Sequence, residues 1–225
     1  MGSTRNRVAV WLAAGAMASG AVVALASGSS AYAATVDCGS ACAELYTQQF
    51  GATDIVAVDA GVAQPGLGAG LYAAAADPTE DFEILGFGPV SDFYQDGLVG
   101  PTVGLTWPTD QTYEYAYAPN GVQSGFCLGV ADSASTGEGV TLQPCGVDAN
   151  TVWIGLSADE IGGYQPLINA TDTSVDTPYV LTAVKSRFWV RGGSEVGLEV
   201  DPLSLVGGAF DPGQMWANQS GVVGG

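Results

Sequence analysis

Apolar residues in this chain come in short runs broken by glycine, proline and Asx-rich turns, a pattern that points to many short strands and away from helices. The pattern is fullest between Phe126 and Ile154. Residues 126–130 predict a strand, residues 132–137 a turn, and residues 140–142 a second strand running into Pro144-Cys145-Gly146. An Asx-rich loop, residues 148–150, then leads to a third short strand centred on Trp153. Weaker copies flank this unit. Residues 46–50, 55–58 and 70–72, followed by Phe82, stand in the same order before it. Residues 164–168, 178–182 and 196–200, followed by Trp216, do so after it. In residues 113–117 a strict alternation puts Tyr113, Tyr115 and Tyr117 on one face of a strand that opens the central copy. The closing aromatics Phe82, Trp153 and Trp216 lie 71 and 63 residues apart. A four-strand unit of this size cannot bury its apolar face alone, so three copies predict a threefold, barrel-like core with one closing aromatic plugging each third. The Gly/Pro-rich residues 85–112 read as an insertion after the first copy.

The first 34 residues stand apart from this pattern. Arg5 and Arg7 precede an apolar stretch, residues 8–26, and Ala31-Tyr32-Ala33 supplies small residues for cleavage, so residues 1–34 are expected to be a secretory signal. Beyond them no apolar run is long enough to span a bilayer. A secreted, extracellular chain of about 190 residues suits a single domain, and its four cysteines favour disulfides over metal sites.

Charge narrows the partners. After the signal only Lys185, Arg187 and Arg191 oppose 23 acidic residues, a formal charge of −20. Nucleic acid and anionic membranes are therefore not expected as partners, and solubility outside the cell is the simplest reading of the acidity. The absence of histidine removes Ser-His-Asp and Cys-His catalysis and His-ligated zinc. No cofactor and no metal are expected, and the protein is expected to be a monomer.

The central unit, with its C-L-x-V strand, its G-x-x-V-x-L-x-x-C strand and then Asn150 and Trp153, resembles one repeat of the ricin-type β-trefoil lectin family. The resemblance rests on Cys127, Leu128, Val140, Leu142, Cys145 and Trp153 and, through the two weaker copies, covers nearly all of residues 35–225. It implies an all-β fold, a β-trefoil of three four-strand repeats at about 44–84, 113–163 and 164–223. It also implies a disulfide between Cys127 and Cys145. With those two assigned to each other, Cys38 and Cys42 remain as a local pair, read as a small disulfide loop rather than as a two-thiolate metal site.

In that family each repeat can bind sugar through an Asp in the first C-L-D-V strand, an aromatic on the next hairpin, an Asn before Q-x-W, and the Gln that supports the Asp. Here the second repeat has Gly129 at the Asp position and Thr151 at the Gln position but keeps Asn150. The third keeps Gln214, has Gly213 at the Asn position and Leu181 or Thr182 near the Asp position. The first has Ala57 at the Asp position with Asp59 close by. The candidate carbohydrate-binding residues carried by the resemblance are thus Asn150, Thr151, Gln214 and Asp59, and no repeat holds the full set. For Trp153, Trp216 and Leu128 the expected role is core packing, and for Asn150 loop capping.

Residues 184–191 offer a separate possibility. Their period-two alternation puts Lys185, Arg187, Trp189 and Arg191 on one face. Guanidinium groups beside an indole suit an acidic sugar, carboxylate on Arg and ring on Trp. The plainer reading is that the bases neutralise nearby carboxylates. Acidic clusters, Glu80-Asp81-Glu83 and Asp159-Glu160, could supply a glycosidase carboxylate pair, but 23 acids generate such pairs by chance. The sequence therefore predicts a secreted, non-enzymatic, lectin-like protein whose partner is a glycan or cell-surface polysaccharide. Two alternatives remain: an interaction or inhibitor module using residues 85–112 with Phe93, Tyr94 and Trp107, and a carboxylate-pair hydrolase.

Overall fold

The computed structural model describes residues 42–58, 62–75, 78–185 and 196–220. The expected signal, Cys38, Asp59, Arg187, Trp189 and Arg191 lie outside the described residues. The first repeat contributes β1 (Ala43–Thr47), β2 (Asp54–Val58), β3 (Ala69–Ala73) and β4 (Phe82–Pro89). Two short helices follow, α1 (Val90–Gln95) and α2 (Pro101–Thr106). The second repeat contributes β5 (Gln111–Tyr117), β6 (Phe126–Gly129), the broken pair β7 (Glu138–Gly139) and β8 (Thr141–Pro144), and β9 (Trp153–Gly155). The third contributes β10 (Leu167–Asn169), β11 (Tyr179–Lys185), β12 (Val196–Pro202), a small hairpin β13 (Leu205–Val206) and β14 (Ala209–Phe210), and β15 (Trp216–Ser220).

The first and fourth strands of the three repeats form a closed ring. β4 pairs with β5, β5 with β9, β9 with β10, and β15 with β1. Single bridges complete the circuit, Cys42 to Glu83 between β1 and β4 and Gln165 to Trp216 between β10 and β15. The second and third strands form three hairpins, β2–β3, β6–β8 and β11–β12. Their return strands meet in a triangle: β3 pairs with β12, β12 with β7, and Gly68 bridges Thr141. A barrel capped by three hairpins leaves few unpaired strand edges, which removes the commonest route to edge-on aggregation.

The core follows the same threefold order. Leu45, Tyr115 and Leu167 come from the opening strands and Phe82, Trp153 and Trp216 from the closing ones. Leu71, Leu142 and Leu198 add the hairpins, and all nine belong to one buried cluster. Trp153 Nε1–H donates to the Leu128 carbonyl at 3.0 Å, and Trp216 Nε1–H to the Leu181 carbonyl at 2.7 Å. Each indole thus ties its closing strand to its own repeat's second strand, whereas Phe82 fills the equivalent place by packing alone. Tyr113, Tyr115 and Tyr117 all join this core, as their alternation predicted.

The structure departs from the sequence reading in three places. The first opening strand is Ala43–Thr47, not 46–50, because Thr47 Oγ1 accepts the Phe50 N–H at 3.2 Å and Gly51 takes φ 67°, turning the chain early. The third opening strand is Leu167–Asn169, and Tyr164 and Gln165 only bridge to Ile161 and Trp216. The segment expected as an insertion over 85–112 is entered along β4 to Pro89 and left along β5 from Gln111, and what lies between includes two helices. Pro101 sits in the first turn of α2, where the N–H it lacks has no helical partner to lose. Val90, Val99 and Val103 of this segment pack on Val152, Ile154, Leu156 and Ile168 in a second buried cluster. β9 is therefore covered on both faces, by the barrel core on the Trp153 side and by the insertion on the other.

Cys127 and Cys145 form the expected disulfide, with Cα atoms 5.0 Å apart across β6 and β8. Cys42 is also disulfide-bonded, and its expected partner Cys38 lies outside the described residues. Among the described residues no group of acidic or cysteine side chains could hold a metal ion, and no helix is long and apolar enough to cross a membrane.

Candidate functional site

In every repeat the closing aromatic is preceded by one turn of 3-10 helix: Pro78–Glu80, Ala149–Thr151 and Pro212–Gln214. Glu80 and Thr151 thereby take the place of Gln214, the Gln of Q-x-W. All three side chains are buried, at 8%, 0% and 2% exposure. A buried polar group needs partners, and each has them. Gln214 donates through Nε2 to Thr182 Oγ1 at 3.1 Å and to the Pro202 carbonyl at 3.0 Å, while its Oε1 accepts from Ser204 N–H at 2.8 Å and Ser204 Oγ at 3.1 Å. Thr151 Oγ1 donates to Glu114 Oε1 at 2.6 Å, an oxygen that also accepts the Gly146 N–H at 2.9 Å. Both oxygens of Glu80 accept the Ala75 N–H, at 3.0 and 3.1 Å. Glu80, two residues before Phe82 as Gln214 is before Trp216, was singled out in the sequence as one acid of a cluster.

The second repeat is tightly packed around Gly129. A Cβ at Gly129 would lie 2.6 Å from the Asn150 carbonyl oxygen and 3.0 Å from the Thr151 methyl. That carbonyl is fixed, since it accepts the Val130 N–H at 3.1 Å and the Asn169 Nδ2–H at 3.0 Å. The Asn150 side chain donates in return to the Val130 carbonyl at 2.9 Å. Asn150 thus caps the loop between strands, as the plainer reading of it expected. Gly129→Asp, which would place there the carboxylate of the C-L-D-V pattern, should not create a site. It should lower stability by about 1–3 kcal/mol through overpacking against backbone, read by urea denaturation alongside galactose titration.

The third repeat keeps more. The shared indole bond aligns Leu181 with Leu128, so Thr182, the next residue, takes the Asp position. Gln214 therefore touches the side chain that the family pattern has it support, with a hydroxyl in place of the carboxylate. The Asn position is filled by Gly213, where a Cβ would lie 2.8 Å from Gln49 Oε1. Asp211 accepts the Gly213 N–H at 2.9 Å and caps the turn. In the first repeat Ala57 is buried in β2 and offers no polar group. Of the basic strand, only Lys185 is described, exposed at the end of β11.

The Glu80-Asp81-Glu83 cluster is engaged in holding turns. Besides Glu80, Asp81 accepts the Asn120 N–H at 2.7 Å and Glu83 accepts Gln123 Nε2–H at 2.8 Å. Glu199 lies in a less favourable setting for its charge. Burial, then a hydrogen bond and repulsion from Asp201 two residues on, push its carboxyl above the usual range.

No protein-family model matches the chain, and no curated protein matches its sequence. Among solved structures, a mosquitocidal holotoxin superposes at TM-score 0.52 over 80% of this chain with 11% identity. The chain spans only 17% of that toxin. A Caenorhabditis elegans protein of unknown function matches at 0.50, with 10% identity, covering 81% of this chain and 94% of its own. ThreeFoil, a designed 3-fold symmetric protein, matches at 0.49, with 15% identity over 78% of this chain and 96% of its own. The fold is a β-trefoil. A ring of six strands, three hairpins meeting in a triangle and one closing aromatic per repeat define it. At these identities the likeness carries the fold alone.

Proposed function

We propose that this protein is a secreted, non-enzymatic carbohydrate-binding trefoil of ricin-type lectin ancestry, with one partly retained repeat and weak affinity for its glycan. The observation that carries the reading is the bond from Gln214 to Thr182 in the third repeat, which keeps the family's side-chain pairing while replacing the carboxylate by a hydroxyl. A neutral hydroxyl makes weaker hydrogen bonds to sugar than a carboxylate does, so affinity in the millimolar range follows. The two cysteine features support an oxidising compartment. A glycan array followed by calorimetry with neutral and acidic saccharides tests the proposal. Binding competed by free sugar supports it, and silence across both classes overturns it while leaving the fold untouched.

The second reading, an interaction or inhibitor module, has its own support. Leu85, Phe87, Tyr94 and Leu105 are exposed on β4 and the insertion helices, Phe87 at 68% and Leu105 at 73%. Phe93 and Trp107, expected to belong to such a surface, instead pack against the second buried cluster. The testable surface is therefore Phe87 and Leu105. Pull-down from culture supernatant with Phe87→Ser/Leu105→Ser beside the wild type separates it from glycan binding.

A further inference from the structure

The barrel strands line a polar recess, separate from the repeat positions discussed above. It is a cavity of about 100 Å³, open to solvent, with Leu45, Leu167 and Trp216 as its apolar wall and Tyr115, Gln165 and Asn218 as its polar one. These residues belong to β1, to β5, to β10 and the residues just before it, and to β15. They thus draw on all three repeats rather than on one.

Tyr115 is the unusual member. Its side chain is 1% exposed, and its hydroxyl is the one buried side-chain polar atom without a hydrogen-bond partner among the described residues. Losing water without gaining a partner costs about 1–3 kcal/mol, and apolar Leu occupies the equivalent positions 45 and 167 in the other two repeats. A phenylalanine would fill the space without that penalty. Burial pushes the phenol pKa up, Asn218 nearby pulls it partly back without closing a good hydrogen bond, and the group stays a neutral donor and acceptor. The rest of the polar wall is also neutral. Gln165 donates through Nε2 to Tyr113 Oη at 3.2 Å, with its amide packed where Gly155 lacks a Cβ. Tyr113 stacks on Tyr115 with ring centroids 5.8 Å apart, which holds the Tyr115 ring in place. No charged residue lines the recess.

We propose that this recess binds a neutral polyol, the hydroxyl-bearing edge of a sugar, with Tyr115, Gln165 and Asn218 as its hydrogen-bonding groups and Trp216 as part of its apolar wall. The chemistry argues for hydroxyls. Amides and phenols both donate and accept, as vicinal diols do, and an apolar wall beside them suits the C–H face of a polyol. Anions are disfavoured by the surrounding charge of the chain. The volume suits a fragment of glycerol's size rather than a whole buried ring. The proposal rests on the carbohydrate-binding reading for its ligand class but not for its location.

The test is a titration of isotope-labelled protein with glycerol and with galactose, followed by the Trp216 indole N–H and the side-chain amides of Gln165 and Asn218. Shifts of these signals that saturate at millimolar ligand are expected. Tyr115→Phe should weaken binding about tenfold or more while keeping or raising the melting temperature. Asn218→Ala, an exposed substitution that folding tolerates, should weaken it as well. Absence of shifts at these groups shows a recess holding water only and overturns the proposal, as does unchanged binding by Tyr115→Phe. Galactose shifts confined to Thr182 and Gln214 would overturn this site and leave the carbohydrate-binding reading standing. Shifts confined to the recess would do the reverse for the third-repeat site.

Discussion

Trp153→Ala should lower folding stability by about 3–5 kcal/mol, enough to leave much of the chain unfolded at 37 °C. The side chain is 1% exposed at the centre of the barrel, and no neighbour can follow it inward without breaking the ring of strands. Trp153→Phe separates packing from hydrogen bonding. It restores the residue type found at position 82, so most of the cavity is refilled, but the Leu128 carbonyl loses the indole donor. That loss should amount to about 1–3 kcal/mol. Urea denaturation followed by circular dichroism measures both. Equal effects from Ala and Phe would mean that the indole bond, not the volume, holds the repeat together.

Replacing both Cys127 and Cys145 by alanine should cost about 3 kcal/mol, since the bond closes a loop of 18 residues in the unfolded chain. In a domain of this size that corresponds to a melting temperature lower by about 6–12 °C. Calorimetry of the double variant gives the number directly. The Cys42 bond remains intact in that variant, so the effect belongs to the β6–β8 hairpin alone.

The fold was largely legible because its signals are local. Alternation in residues 113–117, the C-L-x-V strand and the spacing of Phe82, Trp153 and Trp216 each report burial that any sheet of this kind demands. The insertion was legible as an interruption but not as structure. Its helices are six residues each, too short for a 3.6-residue period to show, and its glycines and prolines read as turns. Nor did residues 152–156 reveal that β9 is buried on both sides. A run of Val152, Trp153, Ile154 and Leu156 looks the same whether its outer face meets an insertion or another sheet. The site residues were harder still. Whether Asn150 meets a ligand or the Val130 carbonyl depends on a loop conformation that residue identity does not encode. The unsatisfied Tyr115 hydroxyl was hidden because two tyrosines beside it, in the same alternating run, bury without signalling anything.

The pairing of β1 with β15 joins residues 43–47 to residues 216–220. The ring therefore cannot close until β15 is in place. The first two repeats alone supply hairpins, but no barrel to hold them. Partner strands so distant in sequence also make for slow folding. Deletion of β15 should trap the chain in a state where the apolar interior of all three repeats stays open. The strand farthest along the described chain is thus as necessary to the barrel as the first one, and no two repeats can stand without the third.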